Sequence, residues 1–115
     1  MNKRNFELSI RQLKLQNSIF LVAELNNKIV GAVLATHDGR KGWINRLAVH
    51  PKCPIMGVAR KLMEEVEQIF KDYGIAIFAC LIEDWNRNSM RFFKRAGYEE
   101  CRDIIYFRKT ESADV

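Results

Sequence analysis

The segment from Leu47 to Leu62 contains the residues best suited to bind an anion. It has the pattern of a strand end, a short loop with Gly57, and the start of a helix. Backbone N–H groups at a helix N-terminus have no acceptor within the helix, and the helix dipole adds partial positive charge there. Gly57 and Ala59 carry little bulk, so a phosphate can approach the main chain. The segment predicts a phosphate cradle, although an ordinary strand-to-helix connection fits it equally well.

Two neighbouring carboxylates, Glu83 and Asp84, follow an apolar run that predicts a strand buried on both faces. A carboxylate, or a water that it holds, can remove the proton from an ammonium group and so free the lone pair of an amine. The alternative is that both residues cap or solvate the helix that follows. Glu24 is a weaker candidate base, because it lies on a hairpin strand where a solvent-facing role is the simpler interpretation.

A second segment, from Asn86 to Tyr98, predicts a helix that Asn86 caps and Gly97 ends. In this order and at this spacing, the two segments resemble the acetyl-CoA-binding and C-terminal motifs of the GNAT N-acetyltransferase superfamily. The resemblance extends from about residue 19 to residue 108. It is closest to small bacterial and archaeal members, through the runs Trp43–Pro51 and Ile82–Asn86.

This resemblance implies the GNAT fold, an α/β architecture with a mixed, mostly antiparallel central sheet flanked by helices. Two parallel strands of that sheet splay apart, and the pantetheine arm of acetyl-CoA enters the gap. The resemblance also implies a single domain over residues 1–115, with a short N-terminal part and a flexible tail over 110–115. Part of the usual acceptor-binding wall is then expected to be absent, and a homodimer partner is one candidate source for it.

By the same resemblance, coenzyme A is held by two stretches of main chain. Pantetheine is implied to bond to the strand around Leu47, Ala48 and Val49, because its amides can pair with strand groups as a peptide does. The pyrophosphate is implied to accept bonds from N–H groups around the helix start: Ile55, Met56, Gly57, Val58 and Ala59. Arg60 is the best side-chain candidate for a phosphate, and a solvated surface arginine is the alternative.

Two positions depart from the family pattern. Pro54 stands where Gln or Arg is usual, which removes a backbone donor and a polar side chain, so weaker coenzyme affinity is expected unless nearby basic residues compensate. Phe93 stands where a Tyr usually protonates the departing thiolate, and a phenyl ring cannot donate a proton. Asn86 matches the Asn whose amide bonds to pantetheine, and its alternative role is a helix cap.

Composition narrows the possible classes of function but does not identify one. The chain has 115 residues, of which 48% are hydrophobic, and this favours one folded domain over disorder. Its net charge is +5 and its pI about 9.3, but basic and acidic residues are interspersed. A nucleic-acid-binding module is therefore a distant hypothesis, and coenzyme A, a polyanion, accounts for the basic excess equally well.

The three cysteines, Cys53, Cys80 and Cys101, are widely spaced and odd in number, and no pair has the Cys-x-x-Cys spacing. This favours reduced thiols over disulfides or a zinc site, so no metal is expected. The sequence contains no apolar run of membrane-spanning length and no signal-peptide pattern at its start. It predicts a cytoplasmic protein with neither a membrane nor a nucleic-acid partner.

The apolar pattern predicts the element order α, three antiparallel β, α, β, α, β, β. The predicted ranges are a helix over 6–15, strands over 19–25, 28–36 and 43–49, a helix over 57–73, a strand over 75–82, a helix over 86–96, and strands over 98–101 and 104–108. Turns are expected at Asn26-Asn27 and at Asp38-Gly39-Arg40, and Gly74 is expected to end the longest helix.

Two functional hypotheses follow. The first is an acetyl-CoA-dependent N-acetyltransferase in which a primary amine attacks the thioester directly in a ternary complex. The second is a coenzyme-binding or regulatory GNAT-like domain with little catalysis, which the departures at Pro54 and Phe93 favour. The sequence does not specify whether the amine belongs to a small metabolite, a polyamine, an antibiotic or a protein N-terminus.

Overall fold

A computed structural model describes residues 8–15, 18–51 and 57–114. The chain forms two compact units, Met1–Glu83 and Asp84–Val115. The elements of the first unit are β1 (Leu8–Leu15), β2 (Ser18–Leu25), β3 (Lys28–His37), β4 (Lys41–Val49), α1 (Val58–Asp72) and β5 (Ile77–Cys80). The second unit contains α2 (Arg87–Arg95).

The first unit is built on a five-stranded sheet with the order β1-β2-β3-β4-β5. The first four strands are antiparallel neighbours, whereas β5 runs parallel to β4. A parallel pair needs a crossover connection, and α1 lies in that connection. The predicted mixed, mostly antiparallel sheet is confirmed, and α1 packs against it.

Local turn chemistry accounts for the β2–β3 and β3–β4 hairpins of this sheet. Asn26 and Asn27 have φ values of 53° and 66°, the left-handed conformation that a tight turn between β2 and β3 requires. Between β3 and β4, the Asp38 carboxylate accepts hydrogen bonds from the N–H groups of Arg40 and Lys41, each at 2.8 Å. These bonds hold the pKa of Asp38 below its usual range. Both predicted turns are confirmed.

One face of the sheet packs against α1. The helix buries an apolar stripe over β2, β3 and β4: Val58, Leu62, Met63, Val66 and Phe70. Towards the end of the helix, Phe70 is fully buried and stacks on Phe78 of β5, with ring centroids 5.4 Å apart. Gly42 of β4 lies under this ring, and a Cβ there would be 2.6 Å from it. The helix thus rests directly on the β4 backbone.

The predicted helix over residues 6–15 is wrong. Residues 8–15 form strand β1, which pairs with β2 along its whole length, from Leu8 opposite Leu25 to Leu15 opposite Ser18. The apolar spacing suggested a helix, but an isolated short helix is marginal in water, whereas β2 provides a continuous row of backbone partners. The Arg11 guanidinium also binds the Glu24 carboxylate of β2 through two hydrogen bonds, of 3.1 and 3.2 Å.

The predicted strand over 75–82 is shorter in the structure and is not buried on both faces. Ile75 is buried ahead of β5, but Ile77 is 52% exposed and Leu81, just beyond the strand, is 66% exposed. The apolar run over residues 75–82 combines residues that lie in two different environments. Ile75 closes the end of α1, where its N–H bonds to the Phe70 carbonyl, and the residues after Cys80 have no strand partner among the described residues.

The predicted strands over 98–101 and 104–108 are also wrong, although the turn at Arg102-Asp103 is present. A two-stranded hairpin is marginal without a further strand or helix to cover it. In the second unit, Glu100 instead binds Lys94 and Arg102 through ion pairs, and these pairs hold the pKa of Glu100 below its usual range. Residues 98–108 therefore contain side-chain ion pairs and no strand pairing.

Gly42→Ala should destabilise the protein, because the new methyl group would overlap the Phe70 ring. Overpacking of this kind costs about 1–3 kcal/mol, so the melting temperature should fall by several degrees. The matched test repeats the substitution in a Phe70→Leu background, where the smaller side chain leaves room for the methyl group. Thermal unfolding of all four proteins should show a smaller cost in that background. Equal costs in both would contradict the direct contact.

Candidate functional site

The two parallel strands of the sheet separate partway along their length. β5 pairs with β4 only from Lys41 opposite Ile77 to Ile44 opposite Cys80. β4 continues to Val49 and stays paired with β3, where Val49 lies opposite Gly31. Within the described part of the chain, residues 45–49 therefore have no strand partner on the β5 side.

A β-bulge lies at the point of separation. Leu34 pairs with Arg46 and Ala35 pairs with Ile44, so Asn45 is an extra residue on β4. Its side-chain amide donates a hydrogen bond of 3.0 Å to the Thr36 hydroxyl. A bulge bends a strand and increases its twist, and this one immediately follows the last pair with β5. It gives a physical reason for the divergence of β4, and nothing in the local sequence around Asn45 indicated it.

Backbone direction decides which residues face the gap. The His50 N–H donates to the Val30 carbonyl at 2.7 Å, so His50 bonds towards β3. In an antiparallel ladder, bonding alternates from residue to residue. Ala48 therefore also points its backbone groups towards β3, whereas Leu47 and Val49 point theirs towards the gap. Of the predicted pantetheine contacts, Leu47 and Val49 can supply backbone bonds and Ala48 can supply only contact surface.

The start of α1 has three N–H groups that no carbonyl of the helix can accept from. Gly57 is the N-cap residue with φ of 88°, a left-handed conformation that favours glycine. The first bond of the helix runs from the Lys61 N–H to the Gly57 carbonyl at 2.9 Å, so the N–H groups of Val58, Ala59 and Arg60 have no acceptor within the helix. The first turn contains no acidic residue. This end of the helix suits an anion.

Three of the cradle positions lie outside the described residues: Pro54, Ile55 and Met56. The predicted roles of Ile55 and Met56 stay predictions, as does the expected effect of Pro54. Val58 is 1% exposed, so its side chain belongs to the core and only its backbone is available to a ligand.

Gly31 brings the helix start and the end of β4 together. A Cβ on Gly31 would lie 3.0 Å from Val58 Cγ1, 3.1 Å from Leu62 Cδ1 and 3.2 Å from the Ala48 carbonyl oxygen. Only a residue without a side chain allows the first turn of α1 to approach β3 and β4 this closely. The two stretches implied to hold coenzyme A therefore lie at the same end of the sheet.

Two charged side chains near these elements have partners. The Arg60 guanidinium lies 3.6 Å from the Glu64 carboxylate, with 81% of its side chain exposed. Such a surface pair contributes little, so Arg60 can exchange it for a phosphate at small cost. Glu24 is bound by Arg11, which holds the pKa of Glu24 below its usual range. A lowered pKa makes a carboxylate a weaker base, which disfavours Glu24 for that role.

The two predicted catalytic carboxylates are exposed and lie just after β5. Glu83 is the last residue of the first compact unit, and Asp84 is the first residue of the second, where it forms a turn with Trp85. Exposure leaves both carboxylates accessible to an amine and to water. Their catalytic role stays a prediction.

In the second unit, Asn86 caps α2. Its side-chain oxygen accepts a hydrogen bond of 3.2 Å from the Ser89 N–H, which confirms the predicted cap. A cap uses only the oxygen of the amide and leaves the NH₂ group out of that bond. The two roles considered for Asn86 are therefore compatible.

Phe93 lies in an aromatic cluster of the second unit and is 8% exposed. Its ring packs edge-on against Phe92 and Tyr98, with centroid distances of 5.2 and 5.1 Å. The cluster is apolar around position 93, and the partly exposed Tyr98 carries the phenol.

Cys80 lies in the last β4–β5 pair, at the base of the gap. Burial raises the pKa of the Cys80 thiol to about 11, so it is protonated at neutral pH and is a poor nucleophile.

Cys80 and Cys101 are both free thiols, and Cys53 lies outside the described residues. Among residues 8–15, 18–51 and 57–114, no cluster of His, Cys, Asp or Glu has the makeup of a metal site. No helix in those ranges is long and apolar enough to cross a membrane.

A mostly antiparallel sheet whose one parallel pair diverges beside the start of a helix is the arrangement expected of the GNAT fold. The sequence matches the Acetyltransferase (GNAT) family over residues 2–98, most of the chain. The protein belongs to this family, which confirms the resemblance drawn from its motifs.

Solved structures with the same fold include aminoglycoside N-acetyltransferases. The enzyme AAC(6')-Iy in complex with CoA has a TM-score of 0.81 and 17% identity, and the match covers 95% of this chain and 99% of that one. The aminoglycoside acetyltransferase meta-AAC0020, from an uncultured soil metagenomic sample, has a TM-score of 0.74 and 22% identity, with 87% and 70% covered. A GNAT family acetyltransferase from Elizabethkingia anophelis with acetyl-CoA bound has a TM-score of 0.70 and 13% identity, with 77% and 74% covered. At these identities the matches show the fold.

Cys80 should react slowly with iodoacetamide in the folded protein. At pH 8 a thiol with a pKa of about 11 is thiolate to roughly one part in a thousand, whereas an ordinary cysteine with a pKa of about 8.5 is thiolate to roughly a quarter. Peptide mapping by mass spectrometry should therefore show alkylation of the exposed Cys101 at least tenfold faster than that of Cys80. Unfolding in urea is the control and should equalise the two rates. Fast labelling of Cys80 in the folded state would contradict the raised pKa.

Proposed function

We propose that this protein is an acetyl-CoA-dependent N-acetyltransferase that transfers the acetyl group to a primary amine by direct attack in a ternary complex. The observation that carries the proposal is the divergence of β4 from β5 beyond the Ile44–Cys80 pair, next to the start of α1, whose first N–H groups have no acceptor within the helix. An extended ligand with amides at one end and phosphates at the other matches these two features in their spatial order.

The donor would be acetyl-CoA, held by backbone groups. The pantetheine amides would pair with Leu47 and Val49 on the gap side of β4 and take the place of the missing strand partner. The pyrophosphate would accept bonds from the N–H groups at the start of α1, with the Arg60 guanidinium as a second, mobile contact. The Asn86 amide nitrogen would be available for the pantetheine end.

The chemistry needs a neutral amine and a route for the departing sulfur. Glu83 or Asp84, directly or through a water, would take the proton of the ammonium group, and the freed nitrogen would attack the thioester carbonyl. The C–N bond forms, the C–S bond breaks, and the thiolate takes up a proton. An acetyl-enzyme on Cys80 is disfavoured because that thiol stays protonated at neutral pH.

The acceptor is proposed as a small or protein-borne primary amine. Aminoglycosides are candidates, because two of the solved structures with this fold are aminoglycoside acetyltransferases. A cytoplasmic location and a homodimer that completes the acceptor site belong to the same proposal.

The second candidate function, a coenzyme-binding domain with little catalysis, is favoured by the buried phenyl ring of Phe93 where the family usually places a phenol.

Acetyl-CoA should raise the melting temperature of the protein. A ligand at about one hundred times its Kd adds about 2.7 kcal/mol to the free energy of unfolding, which corresponds to a rise of roughly 10 °C for a domain of about this size. Differential scanning fluorimetry with millimolar acetyl-CoA measures the rise. An unmoved melting temperature would overturn the proposed function.

Gly57 variants locate the binding site in that experiment. Gly57→Ala and Gly57→Trp force the same left-handed strain, which costs about 1–3 kcal/mol, and both side chains start in open space. Only Trp has the bulk to cover the start of α1. The rise with acetyl-CoA should persist in Gly57→Ala and disappear in Gly57→Trp. A full rise in the folded Trp variant would place coenzyme A elsewhere.

Glu83→Gln should lower turnover at least tenfold at neutral pH, because an amide cannot accept the amine proton. Turnover should recover in part at high pH, where the free amine needs no base, and the Kd of acetyl-CoA should change little. Asp84→Asn is the matched control. Coenzyme A release, measured over a pH series, distinguishes the two. A loss confined to the Asn variant would transfer the role to Asp84, and no loss in either would leave water as the base.

A further inference from the structure

A run of four large apolar side chains lies exposed near the end of the second unit. Ile104, Ile105, Tyr106 and Phe107 are 70%, 76%, 64% and 87% exposed. Residues 104–110 contain neither helix nor turn nor bend, and they have no strand partner among the described residues. An exposed, extended apolar segment of this kind is suited to pair with a strand of another molecule.

The charges at the two ends of this run are complementary. Asp103 precedes the run, and Arg108 and Lys109 follow it. Within residues 8–15, 18–51 and 57–114, none of these three side chains is in an ion pair, whereas the neighbouring Arg102 binds Glu100. A second copy that runs antiparallel to the first brings the acidic end of one run to the basic end of the other.

Two-fold symmetry restricts how two copies of the run can pair. Side chains alternate between the two faces along a strand, and residues that face each other across an antiparallel pair lie on the same face. In a symmetric antiparallel pair the two-fold axis is perpendicular to the sheet, so each face maps onto itself. Facing residues are therefore an even number of positions apart in the sequence, and one residue at the centre faces its own copy.

The symmetric register centred on Tyr106 pairs opposite charges. In this register Asp103 of each copy faces Lys109 of the other, at both ends of the ladder. Between these ends Ile105 faces Phe107, and a β-branched side chain opposite an aromatic one is a favourable cross-strand pair. All these side chains except the central Tyr106 share one face, where an ion pair closes each end of an apolar centre.

The neighbouring symmetric registers pair like charges. With the centre one residue earlier in the run, Arg102 faces Arg108 of the second copy. With the centre one residue later, Asp103 faces Glu111. Like charges directly opposite each other destabilise a sheet. A centre still earlier would bring the turn over residues 102–103 into the ladder. Charge and turn position therefore favour the register about Tyr106.

We propose that residues 103–109 form a homodimer interface, in which this segment pairs with a second copy of itself in the antiparallel register centred on Tyr106. The inference rests on the homodimer of the proposed function and gives it a surface, but it does not rest on acetyl transfer. It lies wholly within the second unit. A two-stranded ladder is marginal by itself, so we expect a reversible dimer whose population depends on protein concentration.

Charge exchange across the interface tests the pairing. Asp103→Lys places lysines opposite each other, and Lys109→Asp places aspartates there, so each variant should raise the Kd of the dimer about tenfold or more at low salt. The double variant restores opposite charges and should return the Kd to that of the wild type. Mixing the two single variants should give a heterodimer, because every facing pair is then opposite in charge. Sedimentation velocity over a concentration series measures these equilibria.

Glu111→Lys is the matched control for charge. It changes the net charge by the same amount as Asp103→Lys, at an exposed position that faces Cys101 in this register. Its Kd should stay within about twofold of the wild type, because an isolated surface charge contributes little. The substituted side chains are exposed, so the melting temperatures of the variants should also match the wild type.

Cysteine substitution tests the register, in a Cys101→Ser background. Tyr106 faces its own copy, at a distance that a disulfide can span, so Tyr106→Cys should form a disulfide between two copies under mild oxidation. In Ile105→Cys the two new thiols lie diagonally across the ladder, beyond that reach, so the same disulfide should form much more slowly. Mass spectrometry of the linked peptides distinguishes these products from others. Faster linkage at position 105 would overturn the register.

The outcomes separate this interface from the rest of the proposed function. A dimer whose Kd is unchanged in both single variants, or is not restored in the double variant, would overturn the interface and leave the homodimer intact. A protein that stays monomeric at all concentrations would overturn both. If that monomer sediments with phosphatidylserine vesicles, a membrane surface is the partner of the run instead. Coenzyme A release with an amine, measured on the same preparations, tests the acetyltransferase assignment separately.

Discussion

The close approach of α1 to the sheet is the constraint on which the rest of the first unit depends. The Val58 side chain packs against Gly31 near the start of the helix, and the Phe70 ring packs against Gly42 towards its end. A side chain at either glycine would push that end of the helix outward. Because both ends are fixed, the N–H groups of the first turn, which have no acceptor within the helix, stay next to the end of β4. The relative position of the helix start and β4 therefore follows from packing.

The same arrangement leaves part of a strand with no strand partner among residues 8–15, 18–51 and 57–114 on the β5 side. Beyond the bulge at Asn45, the described strand pairs of β4 are with β3, so the backbone groups of Leu47 and Val49 face the gap. An exposed strand edge presents N–H and C=O groups with which another chain can pair. In the proposed function, a ligand rich in amides would satisfy those groups as a strand does.

The second unit contributes its candidates through local backbone motifs. The Asn86 side-chain oxygen caps the start of α2. Gly97 follows the end of the helix, and the Tyr98 N–H donates a hydrogen bond to the Phe93 carbonyl. Both side chains are held within hydrogen-bonded turns, so their positions relative to α2 do not depend on long-range packing.

The sequence by itself determined the features that depend on a few adjacent residues. The turn at Asn26-Asn27, the end of α1 at Gly74, the Asn86 cap and the apolar stripe of α1 are local, because left-handed conformations, caps and helical periodicity involve residues within a turn of one another. Together with the two motifs, they were enough to predict the family and the mixed sheet.

Only the tertiary structure decided which segments became strands and where pairing stopped. Residues 8–15 are a strand because β2 lies beside them, β5 ends at Cys80 because β4 bends away, and residues 98–108 form no ladder. The bulge at Asn45 and the contact between Tyr98 and Phe93 were likewise absent from the sequence prediction. A strand obtains its hydrogen bonds from residues far away along the chain, so its limits are set by what the fold places next to it, and the sequence of the strand alone does not contain that information.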